Sequence, residues 1–461
     1  MIKLTRRADL NLLGNSLLVT WIKDPAVAWT GNKNRASRGV LVSEGKILEL
    51  VDEFPNAEFD EIYDASNLVL IPGLINCHHH FYQTLTRALP AALNKELFPW
   101  LTSLYPVWSN LTEDSVRAST RAAVCELLLS GCTTTVDHHY VFSKALDRAI
   151  DVQAEEIKSL GIRAVLTRGS MSLSKDNGGL PPSDVVQTED VILKESQRLI
   201  DQWHDPSEGA MLQIALAPCS PFSVTDELMS ASAQLARENK VLLHTHLAET
   251  SDENSFCENF YGCRPLDYLE RVGWLSSDVW LAHGIHFLPE EIQRIGRTKI
   301  GICHCPSSNM LLASGFCPVE ELRLAGAPVG LGVDGSSSND SSNLMQEIRQ
   351  AYLLQRLRLG ADQFSHIDAL ELATKEGARL LNRDDIGEIR VGACADLALF
   401  STDELRFAGA HDPLATLVLS GAHRAEAVMV DGEWKVRDGE LVSVDLQDIV
   451  SHQKKAALAL V

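Results

Sequence analysis

The ten cysteines of this 461-residue sequence include no Cys-x-x-Cys pair, which argues against paired-thiolate zinc modules and against a disulfide framework. Free thiols suit a reducing compartment. No stretch approaches the ~18 consecutive apolar residues that a membrane-crossing helix needs. Basic residues are in deficit, 41 against 62 acidic, and the net charge of −21 argues against nucleic acid as a partner, since phosphate binding needs a basic patch. The segment 1–21 is interrupted by Asp9, Asn11, Gly14 and Asn15 and has no clean small-residue cleavage site. A secretory leader is therefore not expected, and a cytoplasmic location is.

What is present is a globular composition, 45% hydrophobic and 22% charged. The length exceeds one ordinary core and suits two domains, or one large barrel with an appendage. Residues 1–70 read as short alternating strands, such as 39–42 and 46–50, and residues 386–461 return to that pattern at 395–400 and 427–432. Both ends together predict one small β-sandwich. Between them, residues 71–385 alternate short apolar runs with helical spacing. The runs, the first beginning just ahead of that segment, are 68–75, 133–136, 164–167, 212–217, 241–245, 279–282, 300–303 and 329–333. Segments such as 114–129, 151–160, 191–203, 226–238 and 345–359 carry apolar residues at helical intervals. Near-continuous apolar strands alternating with helices mean a parallel sheet covered on both faces, and this number of units predicts a (β/α)8 barrel. A doubly wound open sheet is the competing architecture. The stretches 81–111 and 175–182 read as extended loops over one barrel end.

Chemistry in such a barrel sits where strands end. His78 and His80, two residues apart in extended chain, share a face, while His79 points away. The fifth run ends in His246, with Glu249 just inside the following loop and His244 one layer lower, where a packed, hydrogen-bonded role is expected. The sixth ends in His283 and the eighth in Asp334. Each alone reads equally well as a surface or structural residue, but converging in a barrel mouth they make a metal site with ligands to spare. Three neutral imidazoles and one carboxylate hold an ion and leave a position for water. The fourth imidazole and Glu249 then handle protons. A two-metal centre wants a bridging ligand near the end of the fourth run, where 217–221 offers neither Lys nor a carboxylate. Cys303 and Cys305 share a face and allow a second zinc reading, and His138 and His139 stay open between the mouth and structural roles.

Together these stretches resemble the amidohydrolase superfamily over essentially the whole chain. The matching stretches are 72–80, 246–249, 281–284, 304–309, 332–335, and 387–389 with 392–396. Within it the pattern is similar to the mononuclear branch, aminohydrolases of purines, cytosine and triazines. The resemblance implies one divalent ion, Zn²⁺ or Fe²⁺, held by His78, His80, His246 and Asp334. It gives Glu249, His283 and Asp334 the activation of water and the movement of protons to a leaving amine. Stretches 78–87 and 137–140 are similar to branch members acting on 8-oxoguanine, with guanine, isoguanine and hydroxytriazines as alternative substrates. Gln83 stands where purine-deaminating members place a glutamine that reads the ring; a loop-capping amide is the other reading. Trp100, Arg168 and Cys219 are candidates for substrate contact, each also readable as packing. The implied partner is a small heterocycle, with self-association expected. A cyclic amide hydrolase and a metal-stabilised binding protein remain as rivals.

Overall fold

The protein is described by a computed structural model covering residues 18–143 and 146–461. Residues 1–17, most of the segment weighed above as a leader, lie outside the described residues. Strands β1 (Leu74–Asn76), β2 (Cys132–His139), β3 (Arg163–Ser170), β4 (Leu212–Pro218), β5 (Leu243–Leu247), β6 (Val279–His283), β7 (Gly301–His304) and β8 (Val329–Leu331) close into one barrel in sequence order. Every pairing is parallel. Closure comes where Leu331 pairs with Asn76, which rules out the open-sheet alternative. A two-residue extension seals the same seam at the mouth, Asp334 opposite His79 and Gly335 opposite His80. The helical segments read from spacing are present as Glu113–Leu129, Ala149–Leu160, Glu189–Trp203, Asp226–Asn239 and Leu344–Leu359. Among the described residues no helix is long and apolar enough to cross a membrane.

Three expectations need correction. The apolar run 68–75 is two strands: Leu68–Pro72 pairs antiparallel with Leu397–Ser401 in a terminal sheet, and only Leu74–Asn76 belongs to the barrel. Gly73 divides them, because a Cβ there would lie 2.2 Å from the Thr133 side chain. The stretch 81–111 is not an extended loop. It holds a 3-10 turn at Phe81–Thr86 and a helix at Leu97–Trp108, which buries Leu97, Trp100, Leu101, Leu104, Tyr105 and Trp108. That spacing is helical; Pro99 and Pro106 obscure it in the sequence. The C-terminal segment also ends in a helix, Leu446–Leu460, capped by Asp445. It lies along Glu113–Leu129 and reaches the 3-10 turn through Gln453, whose Nε2 donates to Thr84 Oγ1 at 3.0 Å.

Two further sheets stand beside the barrel. One has the order 46–50, 39–43, 20–23, 61–64; the other runs 27–28, 68–72, 397–401, 427–430, 433–437, 440–441. Their inner faces share a core of Ile22, Val40, Val42, Leu68, Leu70, Leu397, Leu399 and Met429, contributed by both ends of the chain. Arg163, at the start of β3, ties this core to the barrel. Its Nε and one terminal nitrogen donate to the Asp396 carboxylate at 2.9 and 3.0 Å, and its other nitrogen reaches the carbonyls of Gly209 and Ala210. Asp396 also accepts from Asp431 N at 2.9 Å. Burial alone would lower the Arg163 pKa, but the Asp396 charge more than reverses this. Removing one member of so enclosed a pair strands the other charge. Asp396→Ala is therefore expected to cost about 3–5 kcal/mol of unfolding free energy. Urea denaturation measures this, and a loss below about 1 kcal/mol would show that the pair does not hold the two units together.

Candidate metal centre and active-site pocket

The strand ends bring the expected side chains to one point. His80 Nε2 lies 3.2 Å from His246 Nε2, and Asp334 Oδ1 lies 3.3 Å from both His78 Nε2 and His80 Nε2. His283 Nε2 stands 3.9 Å from Asp334 Oδ2 and 3.5 Å from Glu249 Oε2. All six side chains are buried.

Proton positions follow from the partners behind each ring. His80 Nδ1 faces the carbonyl of His138 at 2.6 Å and His246 Nδ1 that of Cys219 at 2.6 Å, so both nitrogens carry hydrogen. His244 Nδ1 donates to Trp280 O at 3.0 Å, which leaves its Nε2 to accept from His78 Nδ1 at 2.8 Å. Burial pushes His78 and His244 well below the usual imidazole range and His246 down to about 3, so these rings are neutral. Each neutral ring has one N–H, already committed outward. The Nε2 lone pairs of His78 and His246 therefore converge with His80 Nε2 on a carboxylate, and His78 Nε2 has no hydrogen-bond partner at all. Such a nest of acceptors is stable only around a cation. Ligand atoms of His78, His80, His138 and His246 lie within 4.8 Å of one another, as do those of His78, His283 and Asp334, and this overlapping set of nitrogen and oxygen donors fits a single divalent metal ion.

The remaining carboxyls are sorted by environment. Asp334 Oδ1 stands among the Nε2 atoms of His78 and His80, where a bound cation would keep it ionised. Burial, and then the charge of Asp334, push Glu249 well above the usual carboxylate range. Glu249 and Asp334 thus stand on either side of His283, whose Nδ1 lies 3.0 Å from Asn309 Oδ1. Above them opens a cavity lined by His80, Gln83, Leu97, Trp100, Leu101, Tyr140, Cys219, Phe222, His246, Glu249, His283, Leu312, Asp334 and Ser338. Gln83, Trp100 and Cys219 reach it as expected. Trp100 is fixed by Nε1 donating to Ser337 O at 3.2 Å, while Gln83 Oε1 is buried without a partner.

Arg168 does not reach the pocket. It donates to Gly169 O and, at 2.6 Å, to Gln187 Oε1, and its guanidinium lies 3.9 Å over the Phe142 ring. The register explains why: Arg168 pairs with His139 and Thr167 with His138, and paired residues share a face. His138 points inward, stacking on His246 at 4.9 Å and donating from Nε2 to Ala217 O, so His139 and Arg168 point out. His79 turns away to Ser342 at 3.0 Å. The thiols of Cys303 and Cys305, 4.0 Å apart, sit in an apolar layer with Cys77, and among the described residues these thiols belong to no group of three ligand atoms close enough to hold an ion. Sequence reasoning missed Asn309, Ser338 and Tyr140 as site residues; none carries a spacing signal of its own.

His244 stands behind His78 and fixes its tautomer. His244→Phe is expected to weaken divalent-metal affinity by about 10–100-fold with the fold intact. Chelator competition followed by elemental analysis measures this; unchanged affinity would remove the relay from the account.

Residues 69–435 match the amidohydrolase family. The chain is 55% identical to 8-oxoguanine deaminase of Pseudomonas aeruginosa, over 96% of this chain and 99% of that one. It is 35% identical to hydroxydechloroatrazine ethylaminohydrolase of a Pseudomonas species, over 89% and 88%. Among solved structures, atrazine chlorohydrolase of Arthrobacter aurescens complexed with zinc superposes with a TM-score of 0.90 at 31% identity, over 95% of this chain and 100% of that chain. Barrel, ligand cluster and these likenesses agree: the chain belongs to the amidohydrolase family.

Proposed function

We propose that this protein is a hydrolytic deaminase of 8-oxoguanine, adding water at the carbon that bears the exocyclic amine and releasing ammonia to leave urate. The single observation that carries the reaction class is the geometry in which Glu249 and Asp334 flank His283, 3.5 and 3.9 Å from its Nε2, beside the converging Nε2 atoms of His78, His80 and His246. The substrate rests on the 55% identical relative, which spans nearly the whole chain. His78, His80, His246 and Asp334 would hold a zinc ion, the metal with which the atrazine chlorohydrolase structure is complexed, and that ion would supply a water of lowered pKa, towards about 7. Glu249 donates its proton to the ring nitrogen beside the reacting carbon, drawing negative charge off the heterocycle as the oxygen adds. Asp334 accepts one proton of the water and passes it to the departing amine, and the other returns to Glu249 as the carbonyl forms, restoring the acid. His283, held by Asn309, orients the attacking oxygen. Leu97, Trp100, Leu101, Phe222 and Leu312 pack the flat ring and exclude bulk water.

Gln83 presents an amide, which donates and accepts at once and so matches a lactam edge. Its place depends on Gly335, where a Cβ would lie 1.9 Å from Gln83 Oε1. A hydroxytriazine aminohydrolase is the second reading, favoured by the likeness to the triazine enzymes. Ammonia release from 8-oxoguanine, guanine, isoguanine, cytosine and hydroxytriazines, compared by kcat/KM, separates the two; a preference for a triazine would overturn the purine assignment.

Two substitutions test the roles. Glu249→Gln should keep the metal and lower kcat about 10²–10⁴-fold, the span of a lost general acid. Near-normal turnover in metal-replete protein would take Glu249 out of the chemistry. Gly335→Ala should displace the Gln83 amide and lower kcat/KM for 8-oxoguanine roughly 3–10-fold, the size of one neutral hydrogen bond. An unchanged value would deny Gln83 a part in recognition.

A further inference from the structure

The general acid Glu249 stands on a loop, yet its backbone is fixed from behind by a side chain that reaches neither pocket nor metal ligands. Helix Ser251–Tyr261 begins two residues after Glu249. Its first turn contains the spacing Thr250-x-x-Glu253, the pattern of a capping box. The box is not made. Thr250 caps nothing, and its hydroxyl has no partner. Glu253 reaches past the cap instead: Oε1 accepts from Ala248 N at 2.9 Å and Oε2 from Glu249 N at 3.0 Å. One carboxylate thus takes up two consecutive backbone donors.

The peptide held this way is not relaxed. Ala248 has φ 54, the left-handed region that a residue with a Cβ occupies only when its surroundings impose it. The Ala248 carbonyl, on the opposite side, accepts from Ile285 N at 2.8 Å and His286 N at 2.9 Å, in the loop that follows His283. Glu253 therefore fixes the unit on which Glu249 stands, and the same unit anchors the chain leaving His283. Glu253 is fully enclosed, and burial moves its own pKa up to about 7 against the pull of the two amides. A buried ionisable group is costly to keep. An apolar side chain in its place would leave two buried N–H groups unpaired and nothing to hold the strained turn.

We propose that Glu253 is the positioning residue of the general acid: its carboxylate clamps the Ala248 and Glu249 amides and so sets the angle at which the Glu249 carboxyl enters the pocket. This rests on the role proposed for Glu249. Gln at 253 keeps the length but offers one acceptor in place of two, and Ala offers none. Expected are drops in kcat of about tenfold for Glu253→Gln and about 100-fold for Glu253→Ala, KM within about threefold of the parent, and one metal per chain retained, since the clamp orients a proton donor rather than the ring. The discriminating arm is a double-mutant cycle. If Glu253 acts through Glu249, adding Glu253→Gln to the Glu249→Gln variant lowers the residual turnover by less than about twofold. A full tenfold further loss in the double variant, a KM that rises in step with the fall in kcat, or loss of the metal would each overturn the proposal. Failure of the Glu249 assignment itself would be seen separately, as undiminished turnover in Glu249→Gln alone.

Discussion

The site depends on one electrostatic constraint: lone pairs that face each other need positive charge between them. Every imidazole that contributes to the cluster has its hydrogen drawn outward, by His244 behind His78 and by the carbonyls of His138 and Cys219 behind His80 and His246. Burial keeps His78 and His246 from charging themselves. The protein thus spends its second layer of hydrogen bonds on making an arrangement that is unfavourable without a cation. The same low-dielectric surroundings, together with the charge of Asp334, push the Glu249 carboxyl beside His283 well above the usual carboxylate range.

Backbone geometry carries a related signature. Ala248, His283 and Asp334, which follow or end strands β5, β6 and β8, have φ of 54, 72 and 59. A left-handed residue turns the chain sharply off its strand, so side chains that would continue along the barrel wall bend over its mouth. Asp334 is steadied by its N–H donating to His78 O at 3.1 Å, and the loop beyond it by Asn339, which donates from Nδ2 to Val333 O at 2.7 Å and to Glu347 at 3.0 Å. Strain at these positions is offset by buried polar clamps a few residues away, which is how fixed geometry is obtained on loops.

Much of this was legible in the sequence because the period of a strand is two. His78 with His80, and His244 beneath His246, take their faces from that parity alone. The same parity undoes the Arg168 expectation, since its register partner is the outward-facing His139. What strand parity cannot convey is the course of the segments between strands. The helix at Leu97–Trp108 hides behind two prolines, and the helix Leu446–Leu460 follows a region of short strands. The run 68–75 looks continuous because both sheets bury its side chains, and only the close approach of Gly73 to Thr133 divides it. Glu253 lay in plain sight as one half of a helix cap. Its actual partners follow from the reversed turn at Ala248, which nothing in the sequence announces.

The seam where the last strand meets the first deserves a final consequence. Asp334 lies opposite His79 in the two-residue ladder between the neighbours of His78 and His80, so the carboxylate reaches the imidazoles only after residues some 250 positions apart in the chain have come together. His246 arrives from the middle of the cylinder. No contiguous fragment shorter than the complete barrel can therefore assemble the ion's cage, and a nascent or half-zippered chain offers only isolated pairs of donors. Occupancy by the metal then serves as a molecular proof of circular closure, the ion being captured tightly only once the polypeptide has met its own beginning.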